Sequence, residues 1–146
     1  MKKVVITGGL GYVGMELAKI YSGKTNHYHV LVLDNVFYSE RVSQLKRWGI
    51  KFQQIDITEK NNLKNAISDA DIIYHLAAQS RVQPSFDDPS ETFTSNVLGT
   101  KRVCEYALKI GAKVVYAGSS SRHHNPATSP YAMYKYLGEG VCKLYK

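Results

Sequence analysis

Residues 2–14 read KKVVITGGLGYVG: a short β-branched run that opens into a loop with glycines at 8, 11 and 14. An unbroken apolar run of this length suits a strand buried on both faces. Helical patterning follows from Tyr12 to Ser22, with Gly23 where a C-terminal cap belongs. A strand that feeds a helix through so short a turn starts a crossover, and the chain repeats this switch. HVLVLD precedes a helix that Ser39 can cap, running through Trp48 and closed by Gly49. KFQQI, more polar and suited to an edge, precedes a short helix that Thr58 can cap and that reaches Ile67. ADIIYHLA precedes the longest helical stretch, DDPSETFTSNVLGTKRVCEYALKIG. There Asp88 can cap, Pro89 suits the first turn, Glu91 completes a capping box and Gly111 ends the helix. KVVYAGSS is the fifth strand, and Ser129-Pro130 opens the last helix.

β-α repeated five times with short connections predicts an α/β domain over residues 1–146: a parallel sheet, helices on both faces, right-handed crossovers. The expected strand order is 3-2-1-4-5, a Rossmann-type doubly wound sheet with its ligand crevice at the carboxyl ends of strands 1 and 4. A chain of 146 residues is long enough for one core and too short for two. No stretch approaches the roughly 20 apolar residues of a membrane span. The opening residues read as a strand rather than a signal peptide, so a cytoplasmic location is expected. The net charge of +7 favours a polyanionic ligand such as a dinucleotide. The cations are scattered, with no basic patch to hold nucleic acid. Cys104 and Cys142 lie in helical patterns without metal-ligand spacing, which suits reduced, mostly buried thiols. His123 and His124 are neighbours and do not easily face one ion, so no metal centre is expected.

Glycines in the first loop permit a tight turn and let backbone N–H groups approach a pyrophosphate, and the helix N-terminus adds a favourable dipole. A glycine triplet alone also serves plain turns. Its context is stronger: a strand before, a helix after, and Asp34 at the end of strand 2, twenty residues past Gly14. A carboxylate there hydrogen-bonds ribose hydroxyls and repels a 2′-phosphate, which favours NAD over NADP.

TGGLGYVG, LDN after strand 2, DI after strand 3, HLAAQS, NVLGT, the serine run and SPYAMYK together resemble the extended short-chain dehydrogenase/reductase family, in its nucleotide-sugar epimerase branch. The resemblance covers the whole chain but only the N-terminal, cofactor-binding part of those enzymes, without their C-terminal substrate domain. It implies that Gly8, Gly11, Tyr12, Val13 and Gly14 meet the pyrophosphate and that Asp34 and Asn35 hold the adenosine ribose. Asp56 and Ile57 would flank the adenine, while Leu76, Ala77, Ala78 and Gln79 line the cofactor and Asn96 supports its nicotinamide side. Asp56 also suits a helix-start turn, and Asn96 an ordinary polar helix position.

The same resemblance makes Ser119 the catalytic serine, Tyr131 the general acid/base and Lys135 its partner and a ligand of the nicotinamide ribose. Ser80, Ser119, Ser120 and His123 would meet the substrate, a nucleotide-sugar and most simply a UDP-sugar. A cation one helical turn from a phenol favours the phenolate, which is what proton transfer needs. The pattern Tyr131-x-x-x-Lys135 by itself also fits packing plus a solvated lysine. Ser119 and Tyr131 lie only twelve residues apart, closer to short-form family members, and Tyr134 stands where a small residue is usual.

The expected activity is NAD-dependent epimerisation at C4 of the sugar through a keto intermediate. The alternative is a non-catalytic NAD-binding module, or half of a split epimerase/dehydratase. An apolar VVYA at the edge of the sheet invites cover. The helix after Pro89 carries one apolar stripe at Phe93, Val97, Thr100, Cys104 and Ala107 and a second at Val103, Tyr106 and Ile110, of which one needs a partner. The resemblance implies a homodimer through helices 89–110 and 130–146, and a second chain that completes the sheet is the other possibility.

Overall fold

Val4, Val5 and Ile6 are fully buried in the first strand, β1 (Lys2–Thr7), because the strand lies in the middle of the sheet with a helical layer on each face. The computed structural model describes all residues, Met1–Lys146. After β1 come α1 (Tyr12–Ser22), β2 (Tyr28–Asp34), α2 (Ser39–Arg47), β3 (Lys51–Gln54), α3 (Lys60–Ile67) and β4 (Ile72–His75). Next are α4 (Val82–Asp87), α5 (Pro89–Phe93), a π-helical segment (Thr94–Gly99), α6 (Thr100–Ile110), β5 (Lys113–Tyr116) and α7 (Pro130–Leu144). Short 3-10 turns at Ser120–His123 and Pro126–Thr128 link β5 to α7.

The strands pair in parallel in the order β3-β2-β1-β4-β5, as expected. Alternation along the strands divides the core. Val4 and Ile6 join Val30, Val32, Leu10, Ala18, Tyr21, Leu45 and Ile50 under α1 and α2. Val5 faces the other way, into Leu31, Leu33, Ile73, Leu63, Ile67, Val103 and Ala107 under α3 and α6. Val103 is thus in the same core as Ala107. The second stripe of the long helix is therefore mostly covered from within, leaving Ile110 exposed.

Several local details differ from the sequence expectation. Ser39 is the first residue of α2, and the cap position belongs to Tyr38 without a side-chain bond. Thr58 does not cap α3, because its N–H and hydroxyl both donate to Asp56 Oδ1, at 2.8 and 2.6 Å, in a local turn that ends before the helix. Gly23 closes α1 with an ordinary φ of −79°. Asp88 does cap α5, accepting the Glu91 N–H at 2.8 Å. The long helix is not one α-helix, however. It widens at Thr94–Gly99, where Thr100 Oγ1 donates to the Asn96 carbonyl at 2.8 Å. A π-turn of this kind re-aims side chains and recurs at functional sites. β5 forms the far edge of the sheet, with Val115 exposed. No helix is long and apolar enough to cross a membrane.

Candidate nucleotide site

A cleft of about 900 Å³ opens at the carboxyl ends of β1, β2 and β4. Gly8, Gly11, Tyr12, Val13 and Gly14 line it on one side and Leu76, Ala77, Ala78, Gln79 and Ser80 on the other, with Asp34, Asn35, Asp56 and Ile57 at its end. The first loop lies directly on the backbone after β4. Gly8 has φ +66°, and a Cβ there would fall 2.6 Å from Ala77 N, so only glycine fits. The cap position of α1 is Gly11, which has no side chain to offer, and the first bond into the helix runs from Met15 N–H to Gly11 O. The N–H groups of Tyr12, Val13 and Gly14 therefore find no acceptor within the chain. An array of free donors at a helix N-terminus fits the pyrophosphate of a dinucleotide.

Where β2 meets the cleft, Asp34 Oδ2 accepts the Leu10 N–H at 2.9 Å and Oδ1 accepts the Val36 N–H at 3.3 Å. These bonds fix the carboxylate at the tip of β2. Burial pulls Asp56 upward, but hydrogen bonds from Thr58 and Asn35 outweigh it and hold the carboxyl below its ordinary range. Arg41, which the sequence reading passed over, lines the same cleft; its guanidinium lies 5.0 Å from the Tyr38 ring centre and donates to the Leu10 carbonyl. A cation seven residues after Asp34 was the available signal.

Asn96 does not line the cleft. It is 1% exposed, and its amide is committed to Gln79, with Oδ1 accepting the Gln79 N–H at 2.7 Å and Nδ2 donating to the Gln79 carbonyl at 3.0 Å. It braces the cleft wall from behind. A buried polar chain runs beneath: His75 Nδ1 pairs with Thr7 Oγ1 at 2.7 Å and its Nε2 with Thr100 Oγ1 at 3.0 Å. Burial first, and the Lys135 charge second, push His75 down to about 3, so the ring is neutral.

A second cavity, about 480 Å³, lies beyond β5 and contains Ser119, Ser120 and His123, together with Arg122, Glu139 and Cys142. Ser119 Oγ pairs with Ser121 Oγ at 2.8 Å. Lys135 is 6% exposed; its Nζ donates to the Ala117 carbonyl at 2.5 Å and sits 4.4 Å from the Tyr116 ring centre. Burial lowers it to about 8, against a smaller upward pull from Cys142. Tyr131 is half-buried, and its N–H donates to Ser85 Oγ at 3.0 Å. One turn of α7 separates Tyr131 from Lys135, but the hydrogen bonds of Lys135 and Ser119 go to Ala117 and Ser121. Neither Tyr131 nor Lys135 lines either cavity. Tyr134 packs edge-on against Phe93, ring centres 5.3 Å apart, which accounts for a large residue at that position. The bonds of Ser85 to Tyr131, of Thr7 to His75 and of His75 to Thr100 leave no trace in the sequence, because each joins residues far apart along the chain.

Residues 4–146 match the NAD dependent epimerase/dehydratase family. The chain is 28% identical to UDP-glucose 4-epimerase of Mycoplasma genitalium, an alignment covering 94% of this chain and 46% of that protein. It is 30% identical to UDP-N-acetyl-alpha-D-glucosaminuronate decarboxylase of Bacillus cytotoxicus, over 90% of this chain and 40% of that one. Among solved structures, the UDP-Glc/GlcNAc 4-epimerase from Campylobacter jejuni superposes with a TM-score of 0.87 at 24% identity, over 99% of this chain and 49% of that one. The chain spans about half the length of the curated relatives it matches. Family match, strand order and a cleft furnished for a dinucleotide agree: the chain belongs to the NAD dependent epimerase/dehydratase family, whose cofactor is NAD.

Proposed function

We propose that the chain is the cofactor-binding part of an NAD-dependent epimerase that inverts C4 of a UDP-sugar. The observation that carries this reading is the burial of Lys135 at the end of β5, one helical turn from Tyr131, at the same carboxyl end of the sheet where the NAD cleft opens. Bound NAD supplies a hydride acceptor and then donor at its nicotinamide. Asp34 holds the adenosine ribose, the free N–H groups of α1 hold the pyrophosphate, and Gln79, braced by Asn96, walls the nicotinamide side.

In this reading Tyr131 takes the proton of the sugar C4 hydroxyl as that carbon is oxidised, and it returns the proton after the keto sugar has turned over. Lys135 stabilises the phenolate and holds the nicotinamide ribose. To do so its Nζ exchanges the Ala117 carbonyl for the ribose hydroxyls and the phenolate. Ser119 steadies the sugar oxygen, with Ser80, Ser120 and His123 at the edge of the substrate. The exposed Leu98, Leu137 and Leu144, on the π segment and α7, support a homodimer through these helices.

A second reading, a non-catalytic NAD module or half of a split enzyme, is favoured by the outer edge of β5, where Val115 is exposed. One experiment separates the two. The chain is incubated with NAD and UDP-galactose, UDP-GlcNAc or their epimers, with Tyr131→Phe as control. Interconversion lost in the control supports the enzyme. Tight NAD binding with no conversion of any sugar rules out catalysis by this chain alone and leaves the module or the half of a split enzyme.

A further inference from the structure

Cys104 on α6 and Cys142 on α7 are the chain's two cysteines, 38 residues apart in sequence. Their sulfurs are in van der Waals contact at 3.6 Å, with the Cys104 thiol donating toward Cys142. We propose that they form a reversible intramolecular disulfide that ties α6 to α7.

Three observations carry the assignment. First, the contact joins neighbouring helices, and closing it needs the sulfurs to approach from 3.6 Å to about 2.05 Å. Second, the two sulfurs differ in access. Cys104 is 3% exposed, whereas Cys142 is half-buried and lines the cavity beyond β5. That gives one sulfur an oxidant can reach and one that only its neighbour can reach. Third, Arg122, Lys143 and Lys146 line the same cavity against a single carboxylate, Glu139, so an anionic disulfide such as glutathione disulfide is attracted there. The local charge points the same way. The hydrogen bond from Cys104 and then the Lys135 cation lower Cys142, while donating that bond, with burial second, keeps Cys104 protonated.

The chemistry closes without further reagents. The Cys142 thiolate attacks one sulfur of glutathione disulfide, forms a mixed disulfide and releases one glutathione thiolate. Cys104 then loses its proton to solvent and attacks Cys142 Sγ, forming the bridge and releasing the second. Each released thiolate takes up a proton. One disulfide and two protein thiols become one protein disulfide and two glutathione thiols. The bridge would fix the helix that carries Tyr131 and Lys135, and it would remove the Cys142 thiol beside Lys135. The assignment holds whether or not the chain turns over a sugar nucleotide.

The test treats the reduced, folded chain with glutathione disulfide and follows thiol titre, intact mass and a non-reducing peptide map. Expected are the loss of both thiols and of two hydrogens, no retained glutathione, one cross-linked peptide pair joining positions 104 and 142, and full reversal by dithiothreitol. The bridge should form faster in the folded chain than in denaturing urea, and the oxidised chain should melt at a higher temperature. Cys104→Ala should stop at the glutathione adduct on Cys142, and Cys142→Ala should not react. A wild-type chain that keeps glutathione on Cys142, leaves both thiols free, bridges only between chains or bridges only in urea overturns the proposal.

Discussion

Asn96 grips Gln79 with both ends of its amide, across the gap between the π-helical segment and the loop after β4. Asn96 is buried and Gln79 half-buried, so truncating the amide leaves the freed groups only partly open to water. Asn96→Ala leaves the backbone N–H and carbonyl of Gln79 unpaired and should cost about 2 kcal/mol in urea unfolding. Because Gln79 lines the cleft, NAD affinity measured by calorimetry should fall with it. A variant that keeps full stability and full affinity would show that the brace is dispensable.

Asp34 should decide which dinucleotide enters. Asp34→Asn keeps an acceptor for the Leu10 N–H but removes the charge that repels a 2′-phosphate. The preference for NAD over NADP should fall by on the order of tenfold, since one like-charge contact is removed at a partly screened site. Arg41 sits in the same end of the cleft and would then meet the extra phosphate. Adding Arg41→Ala to Asp34→Asn should take much of the gained NADP affinity away again. Paired titrations with both dinucleotides read the effect.

The strand order was legible because alternation of apolar runs and helical patterns, with right-handed crossovers, leaves few topologies. The place of Asp34 at the tip of β2, facing the glycine loop, was legible because a fixed count of residues separates the two. What could not be read are contacts between distant residues: Asn96 on Gln79, Ser85 under Tyr131, Lys135 on Ala117, and Cys104 against Cys142. No local periodicity encodes these pairs. The widened turn at Thr94–Gly99 was hidden for the same reason, since its sequence satisfies an α-helical stripe equally well. Helix α4 was missed because Pro84 reads as a breaker. It stands third in the helix, within the first turn, where its lack of an N–H removes no helical bond.

His75 should make stability fall on mild acidification. The unfolded chain protonates this ring near its ordinary 6.5, while in the fold burial keeps it neutral to about 3. Between those values the unfolded state binds more protons, so stability is full above about pH 6.5 and declines as pH falls. The slope is about 1.4 kcal/mol per pH unit from this group. The lowered carboxyls, Asp56, Asp69, Glu105 and Glu139, add their losses only at more acidic pH. Unfolding free energies at pH 7, 6 and 5 should therefore descend in wild type. In His75→Gln, which retains polar atoms toward Thr7 and Thr100, the curve should start lower and be nearly flat. A wild-type curve flat over this range would mean that the ring is charged or open to water.

Gly138 sets how closely α7 approaches the sheet. A Cβ there would lie 2.5 Å from Tyr116 Oη and 2.9 Å from the Asn96 carbonyl oxygen. Alanine is the better helix former by roughly 0.5–1 kcal/mol, so propensity alone predicts a gain. Contact decides against it. The Tyr116 ring can swing, but the Asn96 carbonyl belongs to the π turn and cannot, so α7 must move outward with Tyr131 and Lys135. Gly138→Ala should lose about 1–3 kcal/mol, the usual cost of overpacking. Gly140→Ala, two residues on with open space around it, should be neutral or gain. Tyr116→Phe removes the nearer of the two contacts, so in the double variant part of the Gly138→Ala loss should return, read as a coupling energy in a mutant cycle. If Gly138→Ala and Gly140→Ala behave alike, α7 does not sit against Tyr116 and Asn96 as described, and the placement of Lys135 over the Tyr116 ring falls with it.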